Sequence, residues 1–459
     1  MQMELVNKLI AQRIFFESGV TKEYAFRKQQ LQKLQAVVKE NELQIFEALY
    51  TDLKKSPEES WVTENGFFLS ELKNAISNLS KWMKPKRVST NLANLPSKSF
   101  ILAEPLGVVL IISPWNYPFQ LLFTPLIGAM AAGNCVVLKS SEFAPAVSAV
   151  MKNMITQTFD ENYILFTEGD GASVIPQMMD NFIFDHIFYT GSTAVGKIIY
   201  QAAAKNLVPV TLELGGKSPC VVEEKVDIKV AAKRIAFPKF SNAGQMCVAP
   251  DYVLVHASQK EALVTELKKA IESFFKGKAA ESYDYGKIIN QKQFDRLVTY
   301  FKDGNILYGG ITDSQKLFIE PTLMDNINLD GAIMRDEIFG PILPIISFTK
   351  MEEALAIIHK NKNPLAFYVF TSDSQKEKQW LQSVSFGGGC VNNASIHLLN
   401  HNLPFGGRGS SGLGQYHGHF SFDTFSHKKG ILKTPSWIDP SVKYPPFKGR
   451  LSMFKKLMG

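Results

Sequence analysis

Three residues in separate stretches have the side chains that acyl chemistry needs. Cys247 stands in "SNAGQMCVAP" (241–250), after a flexible Asn-Ala-Gly run and before a proline. A thiol there could fill a core, form half a disulfide, bind a metal or attack an electrophile. Glu213, in "TLELGG", is an acid inside an apolar strand pattern, flanked by Leu212 and Leu214. Burial would raise its pKa towards the range of a general base; the plainer alternative is a strand-end carboxylate in solvent. Asn116, in "SPWNYP", follows a run that reads as a buried strand. Its amide could donate to an oxyanion together with the Cys247 N–H, each donor contributing about 3 kcal/mol. It could also merely stabilise a turn beside Pro114 and Pro118.

The other cysteines are weaker candidates. Cys135 in "NCVVL" and Cys220 in "PCVV" occupy strand-like contexts that suit buried, inert thiols, while Cys390, ending "GGGC", is the second choice of nucleophile. Four cysteines without a CxxC pair, and eight histidines without HExxH, signal neither a disulfide framework nor a metal site. His417 and His419 in "YHGHF" lack partnering cysteines. A net charge of +7 is mild for 459 residues, and the Lys and Arg are scattered, which argues against a nucleic-acid groove.

Glu4, Lys8, Arg13 and Glu17 interrupt the first apolar residues, so no signal-peptide core is expected. The stretch 119–138 is long enough to span a bilayer, but Gln120, Thr124, Pro125, Gly128, Gly133 and Asn134 break it. It reads as a buried helix leading into a buried strand, and a cytoplasmic protein is expected.

The elements that must position these residues follow a rhythm. Residues 4 to about 82 repeat apolar side chains at helical spacing, and "RVSTNLANLPSKSFILAEPLG" then suggests a hairpin. Five short apolar runs follow, at 107–112, 135–139, 163–166, 186–189 and 208–214, with helices starting near Phe119, Pro145, Ala172 and Thr193. That alternation predicts an α/β fold with a doubly wound parallel sheet, whose ligands lie beyond the carboxyl ends of its strands. From about Gly215 a second α/β segment carries strands in "PCVVEE", "DYVLVHA", "PILPIISF" and "LAFYVFTSD", with helices near 227–237, 259–275, 291–302, 352–360 and 374–384. The tail "PFGGRGSSGLGQYHG" departs from both periods.

Two glycine loops follow strands. "GDGASV" (169–174) lacks the third glycine of a dinucleotide fingerprint and reads better as a tight turn. In "YTGSTAVGK" (189–197), Gly191 allows close backbone approach, and Ser192 and Thr193 can cap a helix or bond a phosphate oxygen. Gly196 would let that helix pack close to the sheet.

Seven stretches, in order along nearly the whole chain, resemble the aldehyde dehydrogenase superfamily: "PWNYP", "LKSSE", "GSTAVG", "LELGGKSP", "GQMC", "EIFGP" and "PFGGRGSSGLGQYHG". "SFDTFSHKKG" (421–430) is similar to the class 3 branch, which takes fatty and aromatic aldehydes. The resemblance implies NAD(P)-dependent oxidation of an aldehyde to a carboxylic acid. It assigns Cys247 the thiohemiacetal and thioester, Asn116 the oxyanion and Glu213 the activation of water or thiol. Gly244 is expected to leave room for substrate. Glu337 would hold the nicotinamide ribose, sharing the base role in some class 3 members, with Phe339 packed on that ribose. Trp115 and Leu214 complete the expected dinucleotide site with Gly191, Ser192, Thr193 and Gly196. Lys139 and Glu142 would face the adenosine ribose, although Ser140 stands where the family usually has proline. A carboxylate there favours NAD over NADP, because a 2′-phosphate would meet like charge at a cost of about 1–4 kcal/mol. Lys139 works the other way, so NADP is expected to be usable.

The expected division is N-terminal helices 1–85, hairpin 86–105, NAD(P)-binding domain 106–211, catalytic domain 212–395 and tail 396–459. The class 3 resemblance implies that hairpin and tail exchange contacts in a homodimer. The basic end "FKGRLSMFKKLMG" is too short to span a membrane. Two alternatives remain: a cysteine esterase using Cys247 and Glu213 without redox chemistry, and a non-catalytic protein retaining the fold. The glycine loop with nucleotide-like strands opposes the first, and the joint presence of Asn116, Glu213, Cys247 and Glu337 opposes the second.

Overall fold

The computed structural model describes residues 2–458. Four long helices, Gln2–Glu17, Tyr24–Glu40, Glu42–Leu53 and Gly66–Trp82, account for most of the N-terminal segment. Their buried residues recur every three or four positions: Leu31, Leu34 and Val38 in one, Phe68, Leu72, Ala75 and Leu79 in another.

The first sheet has the strand order Gly412–Leu413, Val210–Glu213, His186–Thr190, Val108–Ile112, Cys135–Lys139, Ile164–Thr167. All pairs are parallel except the Gly412–Leu413 edge. The chain winds outward from Val108–Ile112 to Ile164–Thr167, then returns to His186–Thr190 on the other side. The order therefore reverses between Val108–Ile112 and His186–Thr190, where the loops after the two strands diverge and open a crevice. The stretch 119–138 divides as the sequence implies, into the buried helix Pro118–Ala132 and the strand Cys135–Lys139.

The second sheet runs Asn305–Tyr308, Thr322–Asp325, Ile342–Phe348, Tyr252–His256, Pro219–Val222, Ala366–Phe370, Gly388–Val391. Four of these seven strands are readable from apolar runs. Asn305–Tyr308, Thr322–Asp325 and Gly388–Val391 are not, since each has four residues and none is a purely apolar run. The helix expected over 291–302 ends at Val298 and tightens into a 3₁₀ turn, Thr299–Asp303.

The hairpin pairs Lys86–Val88 with Lys98–Pro105, and Ser426–Lys433 of the tail joins it within the same chain. The tail is more than an appendage. Its Gly412–Leu413 strand closes an edge of the first sheet, and Phe405 pairs with Tyr416 beside it. One cluster of buried apolar side chains continues through the N-terminal helices, both sheets and the tail.

Asn134 ties three of these parts together. Its Oδ1 accepts from the Gly107 N–H at 2.9 Å, and its Nδ2 donates to the Ala129 and Phe425 carbonyls at 3.1 and 2.9 Å. The side chain is fully buried. Asn134→Ala removes the partner of the Gly107 N–H and the Phe425 carbonyl, while the Ala129 carbonyl keeps the Gly133 and Asn134 N–H groups. The substitution should therefore lower unfolding free energy by about 2–4 kcal/mol. An unchanged urea midpoint would refute this.

Candidate active site

The crevice at the strand-order reversal opens into a cavity of about 520 Å³ lined from both sheets and the tail. The first sheet supplies the segments that follow its strands: Pro114–Tyr117, Gly191–Ala194 and Leu214–Gly215. The second supplies segments that precede strands, including Met246–Val248, Asp336, Glu337, Phe339 and Leu365.

Cys247 lies on the loop between Ser241–Gly244 and the strand Tyr252–His256, partly open to the cavity. The loop is held from within. Gln245, fully buried, donates to the Asn242 and Lys287 carbonyls at 3.0 and 2.9 Å and accepts from the Ile289 N–H at 3.0 Å. Gly244 does not line the cavity, so the expectation that it makes room for substrate is corrected. At φ +72°, a Cβ there would lie 2.3 Å from the Gly340 carbonyl oxygen. Its role is to let the cysteine loop pack on that backbone. Burial pushes the Cys247 thiol well up, and Glu337 and Glu213 add to the rise. Cys135 and Cys220 are fully buried in their strands, and Cys390 sits on the outer strand Gly388–Val391, away from the cavity.

Glu213 ends its strand with 3% exposure, and neither carboxylate oxygen has a hydrogen-bond partner. Burial raises its pKa well above the ordinary carboxylate range. Asn116 is also buried; its Nδ2 donates to the Gln245 carbonyl at 3.0 Å, which places the amide against the cysteine loop.

Glu337 reaches the cavity from the opposite wall, close against Gly215, where a Cβ would lie 1.8 Å from its Oε2. Burial raises its pKa, and Asp251 raises it further while Lys217 opposes. Its loop is pinned by a buried cluster. Lys217 pairs with Asp251 and donates to the Ile333 and Asp336 carbonyls at 2.7 and 2.9 Å, while Asp251 accepts from the Ile338 N–H at 2.9 Å. Phe339 then meets Trp115 edge to face, with ring centroids 5.3 Å apart.

Ser192 caps the helix Thr193–Ala204, accepting from the Val195 N–H at 3.4 Å. The amides of Thr193 and Ala194 have no acceptor within the helix, and both residues line the cavity, which makes this end suited to a phosphate group. Gly196 does not line the cavity; it faces Leu214, whose Cδ2 would lie 2.6 Å from an added Cβ. Lys139 and Glu142 also fall outside the lining. They lie beyond the neighbouring strand, where Lys139 pairs with Ile112 in register. Lys139 is buried and donates to the Ser140 carbonyl at 2.6 Å and to Glu142 at 3.4 Å, and Glu142 accepts from the Gly171 N–H at 3.2 Å. The near-fingerprint at 169–174 serves as a helix cap, with Asp170 preceding Gly171–Asn181.

Much of the remaining lining is apolar or aromatic, and sequence reasoning missed most of it. Val62 and Phe67 come from the N-terminal helices, Phe237 from the helix before the cysteine, and Phe405, Tyr416 and His417 from the tail. His417 is stacked on Phe405 with centroids 5.0 Å apart, and burial lowers its pKa to about 3, so it is neutral near pH 7. Lys55 and Glu64, fully buried behind Asn116, were missed as well.

Residues 16–431 match the aldehyde dehydrogenase family. The 4,4'-diaponeurosporen-aldehyde dehydrogenase of Staphylococcus aureus is 48% identical over 450 residues, covering 98% of both chains. A dimeric NADP-preferring aldehyde dehydrogenase of Canis lupus familiaris is 41% identical over 436 residues, covering 95% of this chain and 96% of its own. A solved structure of the substrate-bound state of Staphylococcus aureus AldH superposes with a TM-score of 0.95 at 47% identity, covering 99% of both chains. A family match over most of the chain, with near-half identity to a relative along its length, establishes that this chain belongs to the aldehyde dehydrogenase family.

Proposed function

We propose that this chain oxidises apolar aldehydes, medium- to long-chain aliphatic or aromatic, to carboxylic acids with NAD(P). One observation carries the reading: Cys247, Glu213, Asn116 and Glu337, from four separate stretches, line one cavity together with a helix N-terminus and a set of apolar side chains. The orphan amides of Thr193 and Ala194 suit a pyrophosphate, and Glu337 with Phe339 suits the nicotinamide ribose. In this division of labour, residues 106–211 hold the dinucleotide and 212–395 carry the thiol.

Glu213 takes the Cys247 thiol proton as the sulfur adds to the aldehyde carbon to form a thiohemiacetal, and it passes that proton to solvent before it acts again. The developing oxyanion lies against the Asn116 amide and the Cys247 N–H, donors fixed in place before the reaction. A nicotinamide dinucleotide held there would supply the acceptor for the hydride of that carbon, and Cys247 would then carry the acyl group as a thioester. Glu213 then takes a proton from water as its oxygen adds to the thioester carbon; the carboxylic acid departs and the sulfur is freed. A lone buried carboxylate with a raised pKa holds that proton more tightly than an exposed one.

We also assign this chain to the cytoplasm and to a homodimer. The dimeric dog relative supports the dimer, and no helix among the described residues is long and apolar enough to cross a membrane. A single-chain mass in light scattering would overturn the dimer.

Mixing the protein with NAD and a panel of apolar aldehydes should generate NADH absorbance, and Cys247→Ser should abolish it while leaving cofactor binding intact. Retained activity in that variant, with loss in Cys390→Ser, would move the nucleophile.

Because burial raises the Glu213 pKa, its basic form appears only as pH climbs above the ordinary carboxylate range. Thioester hydrolysis should therefore keep quickening with pH above the ordinary carboxylate range, where an exposed base would already have levelled off. Glu213→Gln should slow it by about 10²–10⁴-fold, the usual contribution of a general base, and flatten the profile. Near-normal hydrolysis in Glu213→Gln, with loss in Glu337→Gln, would assign the base to Glu337.

Glu142 is held by Lys139 and the Gly171 N–H beyond the neighbouring strand, and a carboxylate facing the adenosine ribose would oppose a 2′-phosphate. NAD should give the higher kcat/KM, NADP should be usable, and Glu142→Gln should narrow the gap. A higher kcat/KM for NADP would refute this reading of Glu142.

A further inference from the structure

Behind the Asn116 turn lies an ion pair to which the chemistry above assigns no role. Lys55 and Glu64 are each fully buried, with Nζ 2.7 Å from Glu64 Oε1. Both come from the N-terminal segment, outside either sheet. The Lys55 ammonium also donates to the Asn116 backbone carbonyl at 3.1 Å and sits 3.8 Å above the Tyr117 ring. The second Glu64 oxygen accepts the N–H groups of Phe119 and Gln120 at 3.1 and 2.9 Å, at the start of the helix Pro118–Ala132. One pair therefore grips the turn on both sides of Tyr117. The Asn242 side chain closes the arrangement from the cysteine loop, donating to the same Asn116 carbonyl at 2.8 Å.

Burying two charges costs several kcal/mol per ion before their attraction is counted, and apolar side chains of similar size often hold a fold as well. Stability alone is thus a weak reason for such a pair. We infer that Lys55 and Glu64 are positioning residues for the oxyanion site: they fix the Asn116 peptide so that its side-chain amide faces the carbon attacked by Cys247. The inference rests on the proposed role of Asn116 and deepens it. It accounts for the placement of Lys55 against that one carbonyl, and it links the N-terminal helices to the rate of the reaction. Neither residue touches substrate, and no proton moves through them.

The test is a double-mutant cycle. Lys55→Met with Glu64→Gln removes both charges at nearly constant volume, and glutamine can still accept from the helix amides. In that pair variant kcat/KM for aldehyde should fall by about 10- to 100-fold, part of the 10²–10³-fold that one oxyanion donor contributes. Introduced into Asn116→Ala, the same pair should change kcat/KM by less than about 2-fold, because the amide it positions is gone. Alkylation of Cys247 by iodoacetamide, which needs no oxyanion donor, should keep its rate. A folded pair variant with parental kcat/KM, or losses that multiply independently of Asn116, would overturn the inference. If Asn116→Ala alone has no effect, the oxyanion assignment itself fails and takes the inference with it. Should the pair variant not fold, Lys55→Gln, whose amide can still meet Glu64 but falls short of the Asn116 carbonyl, carries the same cycle.

Discussion

A parallel strand can be followed by its neighbour only after a crossover, so a parallel sheet gathers its loops along two opposite edges. Everything at this site depends on how two such sheets meet. The first turns its carboxyl edge to the cavity, presenting Asn116, the Ser192 cap and Glu213. The second offers mainly segments that lead into its strands, presenting Cys247 and Glu337. Neither sheet holds a thiol, an amide donor and a free carboxylate together. The reacting groups become a site only because the sheets share one crevice.

Within that crevice, buried charge is treated in two ways. Glu64 and Asp251 are paired with Lys55 and Lys217, and each also accepts backbone N–H groups. Such satisfied groups fix the loops that carry Asn116 and Glu337. Glu213 is equally buried but has no partner at either oxygen. An unpaired buried carboxylate is costly and is stabilised by taking a proton, the behaviour that base catalysis requires. Satisfied charges hold the frame, and the unsatisfied one faces the reacting space.

Much of this was legible in the sequence, for identifiable reasons. The runs around Val108, Cys135, Ile164, His186 and Val210 are almost entirely apolar because both faces of their sheet are covered. Cys247, Glu213 and Asn116 stood out because each is a reactive or polar side chain beside turn residues or inside an apolar run. Gly388–Val391 was hidden by its glycines, and Asn305–Tyr308 by its exposed edge position. Lys55 and Glu64 look like ordinary helix-surface charges in "LKKSPEESWVTEN", and only tertiary packing buries them. Gly244 was assigned to the wrong neighbour, since the Gly340 backbone that needs the space is about a hundred residues away and invisible to local pattern.

The edge strand Gly412–Leu413 has a consequence for the order of events in synthesis. It pairs with Leu212 and Glu213, and the Leu214 N–H donates to the Ser411 carbonyl at 3.0 Å. Phe405, Tyr416 and His417 then add to the cavity wall. A chain emerging from the ribosome therefore exposes Cys247, Glu213 and Asn116 long before it can enclose them. Until residue 412 is free of the exit tunnel, the first sheet keeps a bare edge beside Glu213, able to pair with any passing strand. This contact joins residues about 200 positions apart, which slows closure relative to the helices and neighbouring strands. Enclosure of the reacting groups is thus delayed until translation is nearly complete, and a stalled chain holds the chemistry without its container.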